Sequence, residues 1–87
     1  MPSDLTLISR GYCHLCHDME AALLPLLEQF QATLQILDVD ADPALEAIYD
    51  ELVPVLLKGD GSTRQEICHY FLDASAVSAY LSRQENH

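Results

Sequence analysis

Residues 5–16 have the sequence LTLISRGYCHLC, in which a short apolar run leads through a turn to two cysteines three positions apart. The run at residues 5–8 is mainly apolar and rich in β-branched residues, which predicts a strand, and Ser-Arg-Gly at residues 9–11 is a turn signal. After Cys13, apolar residues recur at intervals of three and four, which is the period of a helix with one buried face. The stretch predicts a strand, a turn and a helix that begins at the cysteines.

That first helix is expected to extend from Cys13 to about Gln31. Pro25 lies inside it, where it removes one backbone hydrogen bond, so the helix should bend there without ending. The apolar positions that would share its buried face are Cys16, Met19, Leu23, Leu26, Leu27 and Phe30.

The rest of the chain predicts three more strands and two more helices. The strands are expected at residues 34–39, 55–57 and 64–71, and the helices at residues 43–51 and 74–82. Asp42 and Asp73 precede the two helices and have side chains that cap helix N-termini. Residues 59–62, Gly-Asp-Gly-Ser, are expected to form the loop of a hairpin between the last two strands.

The predicted order of elements is β-α-β-α-β-β-α. A strand, a crossover helix and a second strand favour a parallel pair, and the closing hairpin adds an antiparallel pair. We therefore expect an α/β protein with a mixed four-stranded sheet that carries helices on both faces.

Size and charge limit the classes of function. The 87 residues leave room for one hydrophobic core, so we expect a single domain over residues 1–87. The formal net charge is −10, from fourteen acidic and four basic residues, which disfavours binding to nucleic acid or to an anionic membrane. With no secretory signal at the N-terminus and an odd number of cysteines, we expect a cytoplasmic protein, and a monomer.

The pair Cys13 and Cys16 carries the predicted chemistry. Its spacing places both sulfurs on one helical turn, close enough to form a disulfide. At the start of a helix, free backbone N–H groups and the helix dipole stabilise an anion, and such positions lower a cysteine pKa from about 8.5 to roughly 3.5–7.5. Cys16 lies one turn later on the apolar face and should be shielded. We expect Cys13 to attack a disulfide and Cys16 to resolve the mixed disulfide.

A second signal is the dipeptide Val53-Pro54, just before the third strand. A proline at the first residue of a strand can have a cis peptide bond, which turns the preceding backbone outward. If this turn lies beside the thiols, the Val53 backbone could pair with an extended substrate segment.

Taken together, these motifs resemble those of a known family, the glutaredoxin-like proteins of the thioredoxin superfamily. The resemblance covers about residues 4–81 and rests on Tyr-Cys-His-Leu-Cys at residues 12–16, Asp-Val-Asp at 38–40 and Val-Pro-Val-Leu at 53–56. It implies a thioredoxin-like fold and an enzyme that catalyses thiol–disulfide exchange.

Carried over to this chain, the resemblance makes Cys13 the nucleophile, Cys16 the resolving thiol and Pro54 a cis-proline. It also implies that Arg10 and Tyr12 line the approach to the thiols. The substrate would be a disulfide or thiol of a protein or a small molecule.

Two stretches differ from the glutaredoxin pattern. Typical glutaredoxins resemble each other in a Gly-Gly-x-Asp stretch that holds glutathione, whereas residues 70–73 here are Tyr-Phe-Leu-Asp. The resemblance therefore leaves open whether glutathione is the reductant. We expect no bound organic cofactor. The dipeptide between the cysteines is His-Leu, and a protonated His14 beside Cys13 would stabilise its thiolate.

An alternative hypothesis is a non-enzymatic binding module, whose thiols hold a metal or do nothing. Zinc or an iron–sulfur cluster could recruit Cys13, Cys16, Cys68 and His69. However, neighbours on a strand point to opposite faces, so Cys68 and His69 are poorly placed to bind one metal. We expect Cys68 to be a buried small hydrophobe and no metal to be held.

Overall fold

The computed structural model describes residues 4–60 and 65–85. Within them the elements are β1 (Asp4–Ser9), α1 (His14–Phe30), β2 (Thr33–Asp38), a 3-10 turn (Val39–Ala41), α2 (Pro43–Tyr49), β3 (Val55–Lys58), β4 (Glu66–His69) and α3 (Ala74–Glu85). Apart from the 3-10 turn, the order is the predicted one.

The four strands form one sheet in the order β2-β1-β3-β4. β1 pairs in parallel with β2 and antiparallel with β3, and β3 pairs antiparallel with β4. Leu7 lies opposite Ile36 on one side and Leu56 on the other. The predicted mixed sheet is confirmed, and β1 is one of its two inner strands.

Alternation along the strands gives each face of the sheet its own core. On one face, Leu5, Leu7 and Leu56 pack with residues of α1 and α3, which are Met19, Leu23, Phe30, Val77 and Leu81. On the other face, Ile8, Val55 and Leu57 pack with Val39 and with Tyr49 of α2. The prediction that helices cover both faces is therefore confirmed.

Several predicted boundaries are wrong by a few residues. The second strand occupies residues 33–38 instead of 34–39, because the Asp38 side chain accepts the Asp40 N–H (2.8 Å) and turns the chain into the 3-10 turn. α2 ends at Tyr49, before the predicted residue 51, where Leu52 N–H donates to the Tyr49 carbonyl (2.9 Å). Local side-chain and turn hydrogen bonds end both elements early.

The closing hairpin and the last helix also differ from prediction. β4 is shorter than residues 64–71, because Tyr70 has a positive φ of 64° and cannot continue a strand. α3 continues to Glu85, past the predicted end at residue 82. Of the predicted hairpin loop, residues 61 and 62 lie outside the described residues, as does Arg64. Gly59 has a φ of 64°, which suits a glycine at a turn.

Leu7 tests the assignment of the core. It has 0% exposure on an inner strand, so Leu7→Ala should leave a cavity and lower the free energy of unfolding by about 2–5 kcal/mol. The control is Ile36→Ala on the neighbouring strand, whose side chain is 45% exposed and should lose less than half as much. Urea unfolding followed by circular dichroism measures both, and equal losses would contradict this core.

Candidate functional site

Cys13 and Cys16 stand at the junction of β1 and α1. Cys13 is the N-cap residue of α1, with an extended backbone (φ −110°, ψ 111°), and Cys16 lies in the first turn. Their sulfurs form a disulfide, and their Cα atoms are 5.1 Å apart, within the range for such bonds. The structure therefore shows the dithiol pair in its oxidised form.

The two cysteines differ in exposure and in hydrogen bonding. Cys13 is half-buried, whereas Cys16 is 1% exposed and faces the core. The Cys16 N–H donates to Cys13 Sγ (3.1 Å), and the His17 N–H donates to the Cys13 carbonyl (3.2 Å). An N-terminal amide of the helix thus points at the Cys13 sulfur, which is the arrangement that stabilises a thiolate.

A shallow depression opens at the Cys13 sulfur. It is lined by Tyr12, Cys13, His14 and His17. Tyr12 is 92% exposed and both histidines are exposed. The structure thus brings the predicted residues Tyr12 and His14 to Cys13. His17 lies one turn after His14, which puts the two side chains on one helical face.

The Val53–Pro54 peptide is cis, as the sequence suggested. Val55 pairs with Ile8, so this peptide lies at the end of the sheet where β1 leads into residues 10–13, the turn that ends at Cys13 and is called the cysteine turn below. Val53 is half-buried and Pro54 is buried. The Pro54 carbonyl accepts the Tyr70 N–H (2.9 Å), which joins this turn to the loop after β4.

Arg10 lies in a network of ion pairs beside the cysteine turn. Its guanidinium makes two hydrogen bonds of 2.9 Å to the Asp40 carboxylate and one of 2.6 Å to that of Asp50. These hydrogen bonds raise the pKa of Arg10 above its usual value. The network ties the end of β1 to the 3-10 turn and to the end of α2. That Arg10 lines the approach to the thiols stays a prediction.

Cys68 and His69 lie on β4, far from Cys13 and Cys16 in the sequence. Cys68 is half-buried against the core of α1 and α3, and desolvation raises the pKa of its thiol. His69 is exposed and pairs with Glu66 (2.7 Å). Within residues 4–60 and 65–85, no three His, Cys, Asp or Glu side chains are grouped to hold a metal ion. Cys68 thus packs against the core, but it is half-buried and not fully buried as predicted.

The sequence did not predict one further neighbour of the dithiol, the loop after β4. The loop after β4 carries Tyr70 and Phe71, which are 37% and 70% exposed. Together with Leu15, which lies between the cysteines, they line a small cavity. The signal available in the sequence was the pair of adjacent aromatic residues, Tyr70 and Phe71. That they lie beside Leu15 follows only from the fold.

Among the helices of the described residues, none has the length and apolar character that a bilayer crossing requires. The longest of them is α1, with 17 residues.

Solved structures similar to this chain support the fold. Protein Ne2328 from Nitrosomonas europaea, determined by solution NMR, is 35% identical, with 92% of each chain covered and a TM-score of 0.80. The structural genomics target protein XcR50 from X. campestris is 34% identical, with 91% of this chain and 96% of that chain covered and a TM-score of 0.63. Thioredoxin 1 from Thermosipho africanus TCF52B is 19% identical, with 94% of this chain and 93% of that chain covered and a TM-score of 0.64, which shows the fold alone.

A family model agrees with these structures. No curated protein matches the chain. The family model "Glutaredoxin-like domain (DUF836)" matches residues 4–82. With this match over nearly its whole length, the chain belongs to the glutaredoxin-like domain family and has the thioredoxin fold.

Proposed function

We propose that this protein is a thiol–disulfide oxidoreductase in which Cys13 is the nucleophile and Cys16 the resolving thiol. The observation that carries the proposal is the Cys13–Cys16 disulfide at the N-terminus of α1, with Cys13 half-buried and Cys16 buried. Membership of the glutaredoxin-like family supports the same chemistry.

The first step joins the reduced protein to its substrate. The Cys13 thiolate attacks one sulfur of a substrate disulfide, so that a mixed disulfide forms and the second substrate sulfur leaves as a thiolate. The backbone N–H of Cys16, 3.1 Å from Cys13 Sγ in the oxidised form, stabilises the attacking anion. Partial exposure of Cys13 lets this sulfur, and not the buried one, meet the substrate.

The second step releases the substrate. The Cys16 thiol loses its proton and its sulfur attacks Cys13 Sγ, which forms the intramolecular disulfide and expels the substrate as a thiolate. Two electrons pass from the protein to the substrate disulfide. The same steps in reverse oxidise a substrate dithiol.

Other residues at this end of the sheet would act on the substrate. Tyr12 and His14 flank Cys13, and a protonated His14 would stabilise its thiolate. The cis turn at Val53 and Pro54 would align an extended substrate segment, as in strand addition. Arg10 would affect the approach of the substrate to the thiols only indirectly, because its guanidinium is paired with Asp40 and Asp50.

The setting that suits this activity is a reducing compartment such as the cytoplasm, where a cysteine pair serves catalysis more often than stapling. The oxidised protein would be reduced again by a cellular thiol, with glutathione as one candidate and with no bound organic cofactor. A single copy of the chain contains the complete dithiol site, so the proposal requires only a monomer.

Alkylation of the reduced protein tests the assignment of the nucleophile. Iodoacetamide labelling from about pH 4 to pH 10, resolved by mass spectrometry, should modify Cys13 first, with an apparent pKa well below about 8.5. Cys16 should react slowly because it is buried. Cys68 is the internal control, since desolvation raises its pKa and should confine its labelling to high pH. Equal labelling of the three cysteines would contradict catalysis and favour a binding module.

Substitution of each cysteine tests the two steps. Cys13→Ser should reduce disulfide exchange to the rate of buffer alone, because the attacking sulfur is gone. Cys16→Ser should still attack but should accumulate the mixed disulfide, which mass spectrometry detects as a covalent adduct. Cys68→Ala is the matched control and should keep the exchange rate. Full activity in Cys13→Ser would refute the proposal.

A further inference from the structure

A small apolar cavity lies next to the dithiol and has no part in the steps above. Its walls are the side of α1 that follows the disulfide and the loop after β4, and its lining residues are Leu15, Asp18, Met19, Ala22, Tyr70, Phe71 and Leu72. Its volume is about 210 Å³. An apolar cavity of about 150 Å³ takes a benzene molecule, so this one has room for a leucine or phenylalanine side chain.

The loop that closes the cavity is held in a strained form. Tyr70 has a φ of 64°, and the Phe71 N–H donates to the His69 carbonyl (2.7 Å), which makes a tight three-residue turn. A bulky residue at positive φ is an outlier, and such residues cluster at ligand-binding sites. Two hydrogen bonds hold Tyr70 there: its N–H donates to the Pro54 carbonyl (2.9 Å), and its hydroxyl donates to the Glu51 carbonyl (2.7 Å).

The consequence of this turn is the position of Phe71. Its side chain is 70% exposed, whereas Leu72, the next residue, packs against the core. Phe71 therefore stands at the rim of the cavity, which begins at Leu15 between the two cysteines. An apolar side chain bound there would lie within one or two residues of a cysteine that reacts with Cys13.

The charge around the cavity indicates what kind of segment would bind. Asp18 is in its wall, and Asp73 follows the loop. Among residues 4–60 and 65–85, Arg10 is paired with two carboxylates, and Lys58 and Arg83 line a different cavity, formed by residues of β3, β4 and α3. The protein also has a formal net charge of −10. A cationic segment is therefore favoured as the occupant of this cavity, and an anionic segment is disfavoured there.

We propose that this cavity is the specificity subsite for a protein substrate. It takes a leucine- or phenylalanine-sized side chain next to the reacting cysteine of an extended segment that carries lysine or arginine. The inference rests on the proposed exchange activity and adds the class of substrate to it.

Single-turnover reduction of synthetic peptide disulfides tests the subsite. The probes are acetyl-Lys-Leu-Cys-Leu-Lys-amide, the same peptide with Ser for Leu, and a third with Glu for Lys, each joined through its cysteine to 2-mercaptoethanol. The reduced full-length protein supplies two electrons, and the products are the peptide thiol, 2-mercaptoethanol and the oxidised protein. Each rate is divided by the rate on bis(2-hydroxyethyl) disulfide, which has no side chain for the cavity.

The Leu peptide is expected to react roughly tenfold faster than the Ser peptide, at the lower end of what an apolar pocket discriminates. The Lys peptide should exceed the Glu peptide at low salt, and the difference should shrink as salt screens the charges. Phe71→Ser should bring the Leu/Ser ratio close to one, whereas Phe71→Leu should retain most of it. Ile48→Ser, which removes a 40% exposed apolar residue from α2 on the other face of the sheet, is the control and should keep the full ratio.

The outcomes separate this inference from the proposed function. If the reduced wild-type protein reduces none of the disulfides, including the small one, both fail. If it reduces the small disulfide but shows a Leu/Ser ratio near one, or if Phe71→Ser keeps the ratio, the subsite is refuted and the exchange activity stands. Faster reaction of the Glu peptide would overturn the charge preference.

Discussion

The placement of β1 is the constraint on which the rest of the structure depends. It is paired with a strand along each edge, and its side chains enter two cores, Leu5 and Leu7 on one face and Ile8 on the other. A shift of one residue would exchange the two faces, so the register of β1 is strongly specified. The point where the chain leaves the sheet is thereby set, and with it the position of Cys13 at the start of α1.

Three segments distant in sequence meet at this end of the sheet. The cysteine turn follows β1, the cis turn at Val53 and Pro54 precedes β3, and residues 70–72 follow β4. Tyr70 joins the second to the third through its hydrogen bond to the Pro54 carbonyl. Each segment is short and is attached to a strand of one rigid sheet, which suits the positioning of functional groups on loops.

Burial and charge have different effects at the dithiol site. The Cys16 N–H at the N-terminus of α1 points at Cys13 Sγ, and Cys16 itself is buried. In the proposed exchange, the helix N-terminus would stabilise the Cys13 thiolate, and burial would keep the Cys16 sulfur from the substrate until the mixed disulfide has formed. Arg10, the cation nearest to the cysteines in sequence, is neutralised by Asp40 and Asp50. In the proposed exchange, the acidic surface would select among substrates, and the exposed aromatic side chains of the loop after β4 would contact them.

The sequence by itself determined the order of elements, the cysteines at a helix start and the caps at Asp42 and Asp73, because periodicity, spacing and capping act over a few residues. It could not place the end of β4, since the positive φ of Tyr70 depends on partners near residues 51 and 54. Only the tertiary structure decided that Arg10 is neutralised and that Phe71 stands beside Leu15. These pairs lie 30 to 56 residues apart, and their contacts exist only after the sheet has formed.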